Sequence, residues 1–221
     1  MSKRTVEVNR DIREERRAAA KRFQDAMTEQ GTFVVRFLSS PGAGKTTLLE
    51  KTAAQLVDEG NLVGVLVGDV ETNRDAERLA PYAPSVQITT GGACHLELPL
   101  VERALPQLGD QAFDFLFIED VGNLICPASH ELGEHVRVIV LSTTEGDDKP
   151  GKYPKAFRTS QILVISKCDL LPHVPFSVSQ AIEDAQLIQP DLETLSLSAR
   201  TGEGLPAWFD LLKSRRETAL F

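Results

Sequence analysis

Runs of apolar residues alternate with amphipathic segments along most of this 221-residue chain. Short, nearly continuous apolar runs are typical of strands covered on both faces, whereas apolar positions spaced three or four apart are typical of helices. The runs predict strands at 32–38, 62–67, 85–88, 113–118, 136–141, 161–165 and 194–197. The periodic segments predict helices that begin near residue 45 and that span 73–79, 96–108, 176–185 and 205–214.

Strands that alternate with helices indicate βαβ units, and therefore an α/β fold. We predict three layers, with a mostly parallel central sheet and helices on both faces. Sheets of this kind bind ligands beyond the carboxyl ends of their strands. Functional residues are therefore expected directly after the predicted strands.

Residues 1–30 carry a different pattern. An amphipathic helix is predicted at 6–27, where many charged residues separate a few apolar or small side chains. Those side chains are Ile12, Ala19, Ala20, Phe23 and Met27. The pattern favours a helix that packs on the edge of the domain, and an arm that binds a partner is the alternative. The chain thus divides into this helix at 1–30 and an α/β domain at 31–221.

The charge balance and the cysteine count exclude some classes of partner. Asp+Glu 32 exceed Lys+Arg 24, so the net charge of -8 would repel phosphate backbones and anionic membranes. No stretch approaches the roughly 18 apolar residues that a membrane span needs. The cysteines number 3, and an odd count indicates reduced thiols rather than disulfides. We expect a cytoplasmic protein without nucleic-acid or membrane partners.

A phosphate-binding loop is predicted where the strand at 32–38 ends. Residues 39–47 read SSPGAGKTT and open a predicted helix, the context in which a GxxxxGK[ST] motif is meaningful. Ser39 stands where that pattern has its first glycine. Loop N–H groups can surround phosphate oxygens, Lys45 can neutralise β/γ charge, and the Thr46 hydroxyl can ligate Mg²⁺. The predicted nucleotide-binding residues of this loop are Gly42, Ala43, Gly44, Lys45, Thr46 and Thr47.

Carboxylates for the metal follow two of the predicted strands. Asp69 and Glu119 each stand at a strand end, where Mg²⁺ would lie beside the phosphates. Thr46, Asp69 and Glu119 are therefore the predicted magnesium ligands, and together with Lys45 the predicted catalytic residues. Asp69 could instead cap the helix that begins near Asn73, and Asp120 could replace Glu119.

A base-binding pocket is predicted after the strand at 161–165. The sequence SKCD at 166–169 resembles the [NS]KxD motif of GTPases. The Asp169 carboxylate can accept hydrogen bonds from the ring N–H and the exocyclic amine of guanine, a donor pair that adenine lacks. The stem of Lys167 would cover the base. In the later Ser-Ala-Arg loop, Ser198 and Ala199 would approach the guanine oxygen through backbone N–H groups.

These motifs, in this order, resemble the HypB family of nickel-incorporation GTPases, which are related to the urease accessory GTPase UreG. The resemblance covers nearly the whole chain. Its most specific segments are CHLE at 94–97, GNLICP at 122–127 and EGDDKPGKYP at 145–154. The domain at 31–221 would then be a P-loop GTPase domain.

The resemblance implies a site for nickel or zinc formed by Cys94, His95 and Cys126, close to the nucleotide and at a nucleotide-promoted homodimer interface. Thiolates and imidazole suit both Zn²⁺ and Ni²⁺. Three donors are fewer than a closed structural zinc site prefers, so the site should be open, shared or exchangeable. Pairing about a twofold axis would double the donors.

The resemblance also implies a function. A slow GTPase switch that uses GTP and Mg²⁺ would hold Ni²⁺ or Zn²⁺ and drive nickel insertion into a metalloenzyme precursor, the [NiFe]-hydrogenase large subunit, through a partner nickel chaperone. Three alternatives stay open. They are a urease-accessory GTPase, although UreG uses a Cys-Pro-His motif; a small-molecule kinase; and a metal-binding scaffold without turnover.

The chain departs from the family pattern in several places. Asp120 replaces the usual Asn and is expected to add a charge beside Mg²⁺. Ser166 replaces the commoner Asn, which is expected to weaken nucleotide affinity by about 1 kcal/mol. The chain also lacks an amino-terminal cysteine cluster and a histidine-rich stretch, so nickel storage is not expected.

Four further residues lie near the family motifs. His130 and His135 lie downstream of Cys126, and we expect surface or packed histidines there, with assistance to the metal site as the alternative. Lys149 and Lys152 either contact nucleotide or the second subunit, or form a solvated basic pair.

Overall fold

A single parallel sheet forms the centre of the molecule. The structure, a computed structural model, describes residues 8–69 and 74–221, so the start of the predicted 6–27 helix and Asn73 lie outside the described residues. The strands are β1 Phe33–Ser39, β2 Val63–Asp69, β3 Ser85–Thr89, β4 Phe115–Glu119, β5 Val136–Ser142, β6 Ile162–Ser166 and β7 Glu193–Ser196. Within the described ranges they form one 7-stranded sheet in the order β3-β2-β4-β1-β5-β6-β7. Every pairing is parallel, where the sequence predicted a mostly parallel sheet.

Helices connect these strands. They are α1 Val8–Glu29, α2 Lys45–Asp58, α3 Arg74–Leu79, α4 Leu98–Ala104, α5 Lys149–Lys152, α6 Pro154–Arg158, α7 Val178–Ile188 and α8 Leu205–Leu220. Short 3₁₀ turns add Leu105–Leu108, Pro127–Ser129 and Cys168–His173. No helix in the described part of the chain has the length and apolar content needed to cross a bilayer.

Two segments differ from the sequence prediction. The helix predicted at 96–108 is α4 followed by a 3₁₀ turn that contains Pro106, which has no N–H with which to continue the α-helical ladder. The segment at 145–154 was not predicted as helical, because its glycines, prolines and acidic residues show no apolar period. It nevertheless contains α5, and Pro154 begins α6 at a first-turn position that proline favours.

Apolar residues fill both faces of the sheet, which confirms the predicted three-layer fold. Phe33, Val35 and Phe37 of β1 pack with α2, α3 and α8 on one face, where the fully buried Trp208 also lies. Because successive side chains of a strand point to opposite faces, Val34 packs with α1 and α4 on the other face. Leu38 packs on that second face with α6 and α7.

The amphipathic helix predicted at the start of the chain is α1. Its Ala20, Phe23 and Met27 side chains are buried in the core beside α4. Burial of large apolar side chains such as Phe23 and Met27 contributes about 1.5–3 kcal/mol each. Ile12, which the pattern assigned to the same face, is 42% exposed. Helix α1 is thus attached to the sheet mainly by its second half.

Candidate functional site

Three adjacent strands bring the predicted phosphate and magnesium residues to one edge of the sheet. Strand β4 lies between β2 and β1, and Glu119 at its end is level with Phe37 of β1 and Val67 of β2. Asp69 ends β2 two residues further along, and the phosphate loop leaves β1 at the same edge. Residues far apart in sequence therefore meet where ligands of parallel sheets bind.

The phosphate loop turns sharply between β1 and α2. Gly42 and Gly44 have φ angles of 72° and 95°, which L side chains rarely adopt. Ser39, in place of the first motif glycine, is the last residue of β1, and its conformation does not require glycine. Its Oγ accepts a 2.8 Å hydrogen bond from Nζ of the buried Lys45. The serine therefore holds the lysine in the loop.

Thr46 and Glu119 form a buried polar pair beneath the loop. Thr46 Oγ1 donates to Glu119 Oε1 at 2.8 Å. Burial raises the pKa of Glu119 to about 7, although the Lys45 charge opposes the shift. Among the described residues, Glu119 Oε2 is buried and has no hydrogen-bond partner, an arrangement that costs free energy. A divalent cation would supply the missing partner and favour the ionised carboxylate, so these residues fit Mg²⁺. The half-buried Asp69 stands at the same edge.

The predicted guanine-binding motif is attached to the predicted phosphate loop. Ser166 Oγ donates to the Ala43 carbonyl at 2.7 Å, and Lys167 Nζ donates to the Gly42 carbonyl at 2.7 Å. Lys167 adopts φ 58°, an uncommon conformation for a residue other than glycine. Ser166 thus uses its hydroxyl to join the two loops.

Asp169 lies beside the second predicted base loop. Its Oδ1 accepts a 2.6 Å hydrogen bond from Ser198 Oγ, and the Arg200 guanidinium is 3.5 Å from its other oxygen. The Ser198 hydrogen bond is the main cause that lowers the pKa of Asp169. An ionised Asp169 beside Ser198 and the half-buried Ala199 suits a ligand that presents two N–H donors.

Other candidate residues have different surroundings. Thr47 Oγ1 accepts a 3.0 Å hydrogen bond from the Arg78 guanidinium, so its hydroxyl already has a protein partner. Lys149 Nζ is 3.5 Å from Ser40 Oγ and 3.2 Å from Glu145, which puts it against the phosphate loop. The Lys152 side chain is 61% exposed. The two lysines therefore do not act as a pair.

Cys94, His95 and Cys126 lie together next to this edge. One donor atom from each lies within 4.8 Å of the others, and Cys94 Sγ is 3.8 Å from His95 Nδ1. Cys94 is exposed, whereas His95 and Cys126 are half-buried. A hydrogen bond with Cys126 is the main cause that raises the pKa of Cys94. A metal ion must therefore displace a thiol proton. Cys168 instead follows Lys167 in the guanine motif.

His130 belongs to the same neighbourhood, which the sequence indicated only as an alternative. Its ring stacks on His95, with centroids 3.9 Å apart and planes 21° apart, and its Nδ1 is 2.9 Å from the Cys126 carbonyl. Burial lowers the pKa of His130. The only available sequence signal was its position four residues after Cys126. His135 is packed as expected, with Nδ1 2.9 Å from the Val34 amide.

The charge that Asp120 adds after β4 is paired with a buried arginine. Its Oδ2 pairs with the guanidinium of Arg36, a fully buried residue in the middle of β1. Its Oδ1 accepts from the backbone N–H of Leu96 at 3.1 Å and of Val121 at 2.8 Å. Arg36, distant in sequence, therefore neutralises the charge that the sequence predicted beside Mg²⁺. Glu119, rather than Asp120, contacts Thr46.

The Arg36–Asp120 pair also holds both halves of the Cys/His cluster. Arg36 donates to the Pro127 carbonyl at 3.1 Å and to the His130 carbonyl, while Asp120 binds the amide that follows His95. Glu134 accepts from Arg36 and Arg137, whose charges lower its pKa to about 2. This buried network fixes the backbone around the candidate ligands.

The segment that joins Glu119 to Cys126 also touches the phosphate loop. A Cβ added at Gly122 would lie 3.0 Å from the Cα of Pro41, so only glycine fits this approach without displacing the loop. Further along, Asn123 Nδ2 donates to the Cys94 carbonyl at 3.2 Å. One short segment therefore contacts the phosphate loop, the predicted magnesium ligand and the Cys/His cluster.

Comparison with known proteins agrees with this architecture. Residues 33–196 match the family model described as the CobW/HypB/UreG nucleotide-binding domain. The hydrogenase maturation factor HypB of Rhizobium leguminosarum bv. viciae is 42% identical over 217 residues, which cover 96% of this chain and 72% of that protein.

Two solved structures are similar over most of both chains. The crystal structure of HypB from Helicobacter pylori in complex with nickel has a TM-score of 0.85 and 38% identity, and the match covers 93% of this chain and 97% of that one. The crystal structure of hydrogenase maturation factor HypB from Archaeoglobus fulgidus has a TM-score of 0.83 and 35% identity, covering 91% and 98%. The chain therefore belongs to the CobW/HypB/UreG family of P-loop nucleotide-binding proteins and, within it, to the HypB hydrogenase maturation factors.

Proposed function

We propose that this protein is a GTP-hydrolysing metallochaperone that carries nickel, or zinc, on Cys94, His95 and Cys126. Its role is to drive nickel insertion into a metalloenzyme precursor, namely the [NiFe]-hydrogenase large subunit, together with a partner nickel chaperone. The observation that carries the proposal is the direct chain connection from Glu119 to Cys126. The naming of its relatives as hydrogenase maturation factors, and the nickel complex of one of them, support it.

Selection of GTP would rest on the two loops that follow β6 and β7. Asp169 is oriented by Ser198 and would accept two N–H bonds from guanine, while the Lys167 stem covers the base. Adenine offers no such pair of donors, so ATP would bind more weakly. The bond from Lys167 to Gly42 supports a single nucleotide site, because it attaches base recognition to the phosphate loop.

Hydrolysis would depend mainly on positioned charge. Lys45 would transfer its hydrogen bond from Ser39 to phosphate oxygens, while loop N–H groups hold the charge that develops as water attacks the γ-phosphorus. Thr46, Asp69 and Glu119 would hold Mg²⁺, which supplies positive charge to the β and γ phosphates when bound. The products are GDP and phosphate, and the intrinsic rate is expected to be slow.

The nucleotide state would control the cargo through the segment from Glu119 to Cys126. A shift at Glu119 or Pro41 would move this segment, because Gly122 lies against the loop. Such a segment is a physical route between the two sites. We further propose that GTP favours a homodimer, in which two Cys/His clusters, each with an exposed Cys94, meet and the donors double.

Phosphate release and nickel binding test the proposal together. The protein should hydrolyse GTP in preference to ATP, and Lys45→Ala should abolish turnover. Nickel binding, measured by calorimetry under reducing conditions, should be weakened in Cys94→Ala and unchanged in Cys168→Ala, since Cys168 lies outside the cluster. Unchanged turnover in Lys45→Ala would overturn the GTPase assignment. A phosphorylated small molecule as product would instead indicate a kinase.

A further inference from the structure

We propose that His95, Glu97 and His130 form a second site for a divalent transition metal, next to the thiol cluster. One donor atom from each of these three residues lies within 4.8 Å of the others. None of the functions proposed above uses Glu97 or His130. The site would lie between the Cys/His cluster and helix α1.

The His95 ring faces two different groups of donors. Its Nδ1 is 3.8 Å from Cys94 Sγ, whereas its Nε2 is 3.7 Å from Glu97 Oε1. In the part of the chain that the structure describes, this Nε2 is buried and makes no hydrogen bond. A buried ring nitrogen without a partner is costly, and a metal ion held with Glu97 would satisfy it.

The proton on the other nitrogen of His130 leaves the ring in the tautomer that can bind a metal. Its Nδ1 is 2.9 Å from the Cys126 carbonyl, which can only accept, so the neutral ring carries its proton on Nδ1 and its lone pair on Nε2. Metal-binding histidines are typically held in this way, by a carbonyl or carboxylate at the second ring nitrogen. The His130 carbonyl is itself bound by Arg36 and Arg137, which fixes the backbone.

Glu97 is available because its present partners are weak. Its carboxylate is 3.5 Å from the Arg16 guanidinium, and both side chains are about half exposed. Exposed ion pairs of this kind contribute little stability. A divalent cation bound by two imidazoles as well would replace Arg16. Helix α1 would then lose one of its contacts with the metal-binding segment.

The donor set defines the class of ion. Two imidazoles and one carboxylate suit Zn²⁺, Ni²⁺ and Co²⁺ rather than Mg²⁺ or Ca²⁺. Each lone pair lies in the plane of its ring, so two stacked rings cannot direct their lone pairs at one ion. The His95 and His130 rings must therefore separate when an ion binds. A neutral His95 has a single acceptor nitrogen, so it can serve the thiols or the second site but not both. The existence of the second site does not rest on the proposed function. Transfer of a metal ion between the thiol cluster and the second site does rest on it.

Removal of the thiols isolates the second site for measurement. Cys94→Ser/Cys126→Ser should still bind Zn²⁺ in calorimetry. Adding His130→Asn should weaken that binding by at least about tenfold, because one ligand is lost while the asparagine amide keeps the bond to the Cys126 carbonyl. Glu97→Gln, at an exposed position where folding is not at risk, should weaken it similarly. His173→Asn, at an exposed histidine elsewhere, is the matched control and should leave binding unchanged.

Cobalt absorption separates the two sites in one experiment. Co²⁺ bound by thiolates gives intense sulfur-to-metal charge-transfer bands, and Co²⁺ bound by nitrogen and oxygen does not. The double cysteine variant should bind Co²⁺ without these bands. Failure of that variant to bind either ion, or equal binding with and without His130→Asn and Glu97→Gln, would overturn the second site. Absence of the bands from the wild-type protein would instead count against the proposed thiol cluster.

Discussion

Two neighbouring parts of the sheet edge differ in their burial. We call them the phosphate end, which comprises the loop at 39–47 and Glu119, and the metal end, which comprises Cys94, His95 and Cys126. At the phosphate end, Lys45, Thr46 and Glu119 are only 7%, 8% and 4% exposed, and each already contacts a protein partner. At the metal end Cys94 is exposed, and its Sγ lies 3.8 Å from Nδ1 of His95, another candidate ligand. A nucleotide site needs fixed charge at fixed positions, whereas a site that loads and releases an ion must be reachable. The difference fits a nucleotide site with fixed side chains and a metal site that can exchange its ion.

Between these two ends lies the buried Arg36–Asp120 pair. It binds no ligand in the proposed mechanism, yet it holds the backbone on both sides of the metal cluster, at Leu96 and at Pro127. The open cluster is therefore mounted on a rigid base. If the Arg36–Asp120 pair is lost, the metal end should be disturbed before the phosphate end.

Removal of the buried arginine should have the largest effect. Arg36→Met leaves Asp120 and Glu134 buried with fewer partners, so the free energy of unfolding should fall by about 3–5 kcal/mol. Urea denaturation followed by the fluorescence of Trp208, the single and fully buried tryptophan, measures it.

The double variant Arg36→Met/Asp120→Asn is the control for that result. It removes the uncompensated Asp120 charge and should recover part of the loss. A loss of stability below about 1 kcal/mol for Arg36→Met alone would show that the pair is not a structural base.

Removal of the charge at the predicted magnesium ligand Glu119 should affect the phosphate end and not the metal end. Glu119→Gln keeps the side-chain shape and a bond to Thr46 but cannot ionise, so GTP turnover should fall by about 100-fold. Nickel affinity without nucleotide should stay within about twofold, because the thiol cluster keeps all its donors. Phosphate release and nickel calorimetry on the same preparation measure both. Equal damage to both activities would mean that the ends are not separate sites.

The free energy of unfolding should depend on pH through His135, which packs beneath α1. Burial lowers its pKa from 6.5 to about 4, so the unfolded chain takes up a proton that the folded chain refuses. The contribution of His135 is therefore lost as pH falls from about 6.5 to about 4, by roughly 1–2 kcal/mol after allowance for its partial exposure. Glu119, with its raised pKa, acts in the opposite direction in an overlapping range.

The effect of His135 is therefore measured as the difference in unfolding free energy between the wild type and His135→Gln. Stability profiles of the wild type and His135→Gln, recorded by urea denaturation at several pH values, should converge on acidification. His173→Gln, at an exposed position, should run parallel to the wild type. Parallel profiles for His135→Gln as well would refute the assignment.

The smallest effect is expected in the base pocket. Ser198→Ala removes the 2.6 Å hydrogen bond that orients Asp169, so GTP affinity should weaken by about fivefold, near 1 kcal/mol. Ser179→Ala, at an exposed position in α7, is the matched control. Fluorescent-nucleotide titration measures both. An unchanged affinity in Ser198→Ala would mean that Asp169 needs no orientation.

The sequence predicted the fold and the phosphate loop because their signals are local. Apolar runs mark strands, and the loop motif is continuous from Ser39 to Thr47. The Arg36–Asp120 pair joins residues separated by 84 positions, and no pattern within β1 or β4 identifies the partner. The stacking of His130 on His95 was not predicted for the same reason, because it arises only when two loops meet.

The central claim is that the nucleotide state controls the metal site. The most direct test is the nickel affinity of the reduced wild-type protein with GDP and with a nonhydrolysable GTP analogue. The account predicts affinities that differ by at least about fivefold, and a difference that Cys94→Ala abolishes. Identical nickel affinities in the two nucleotide states would contradict it.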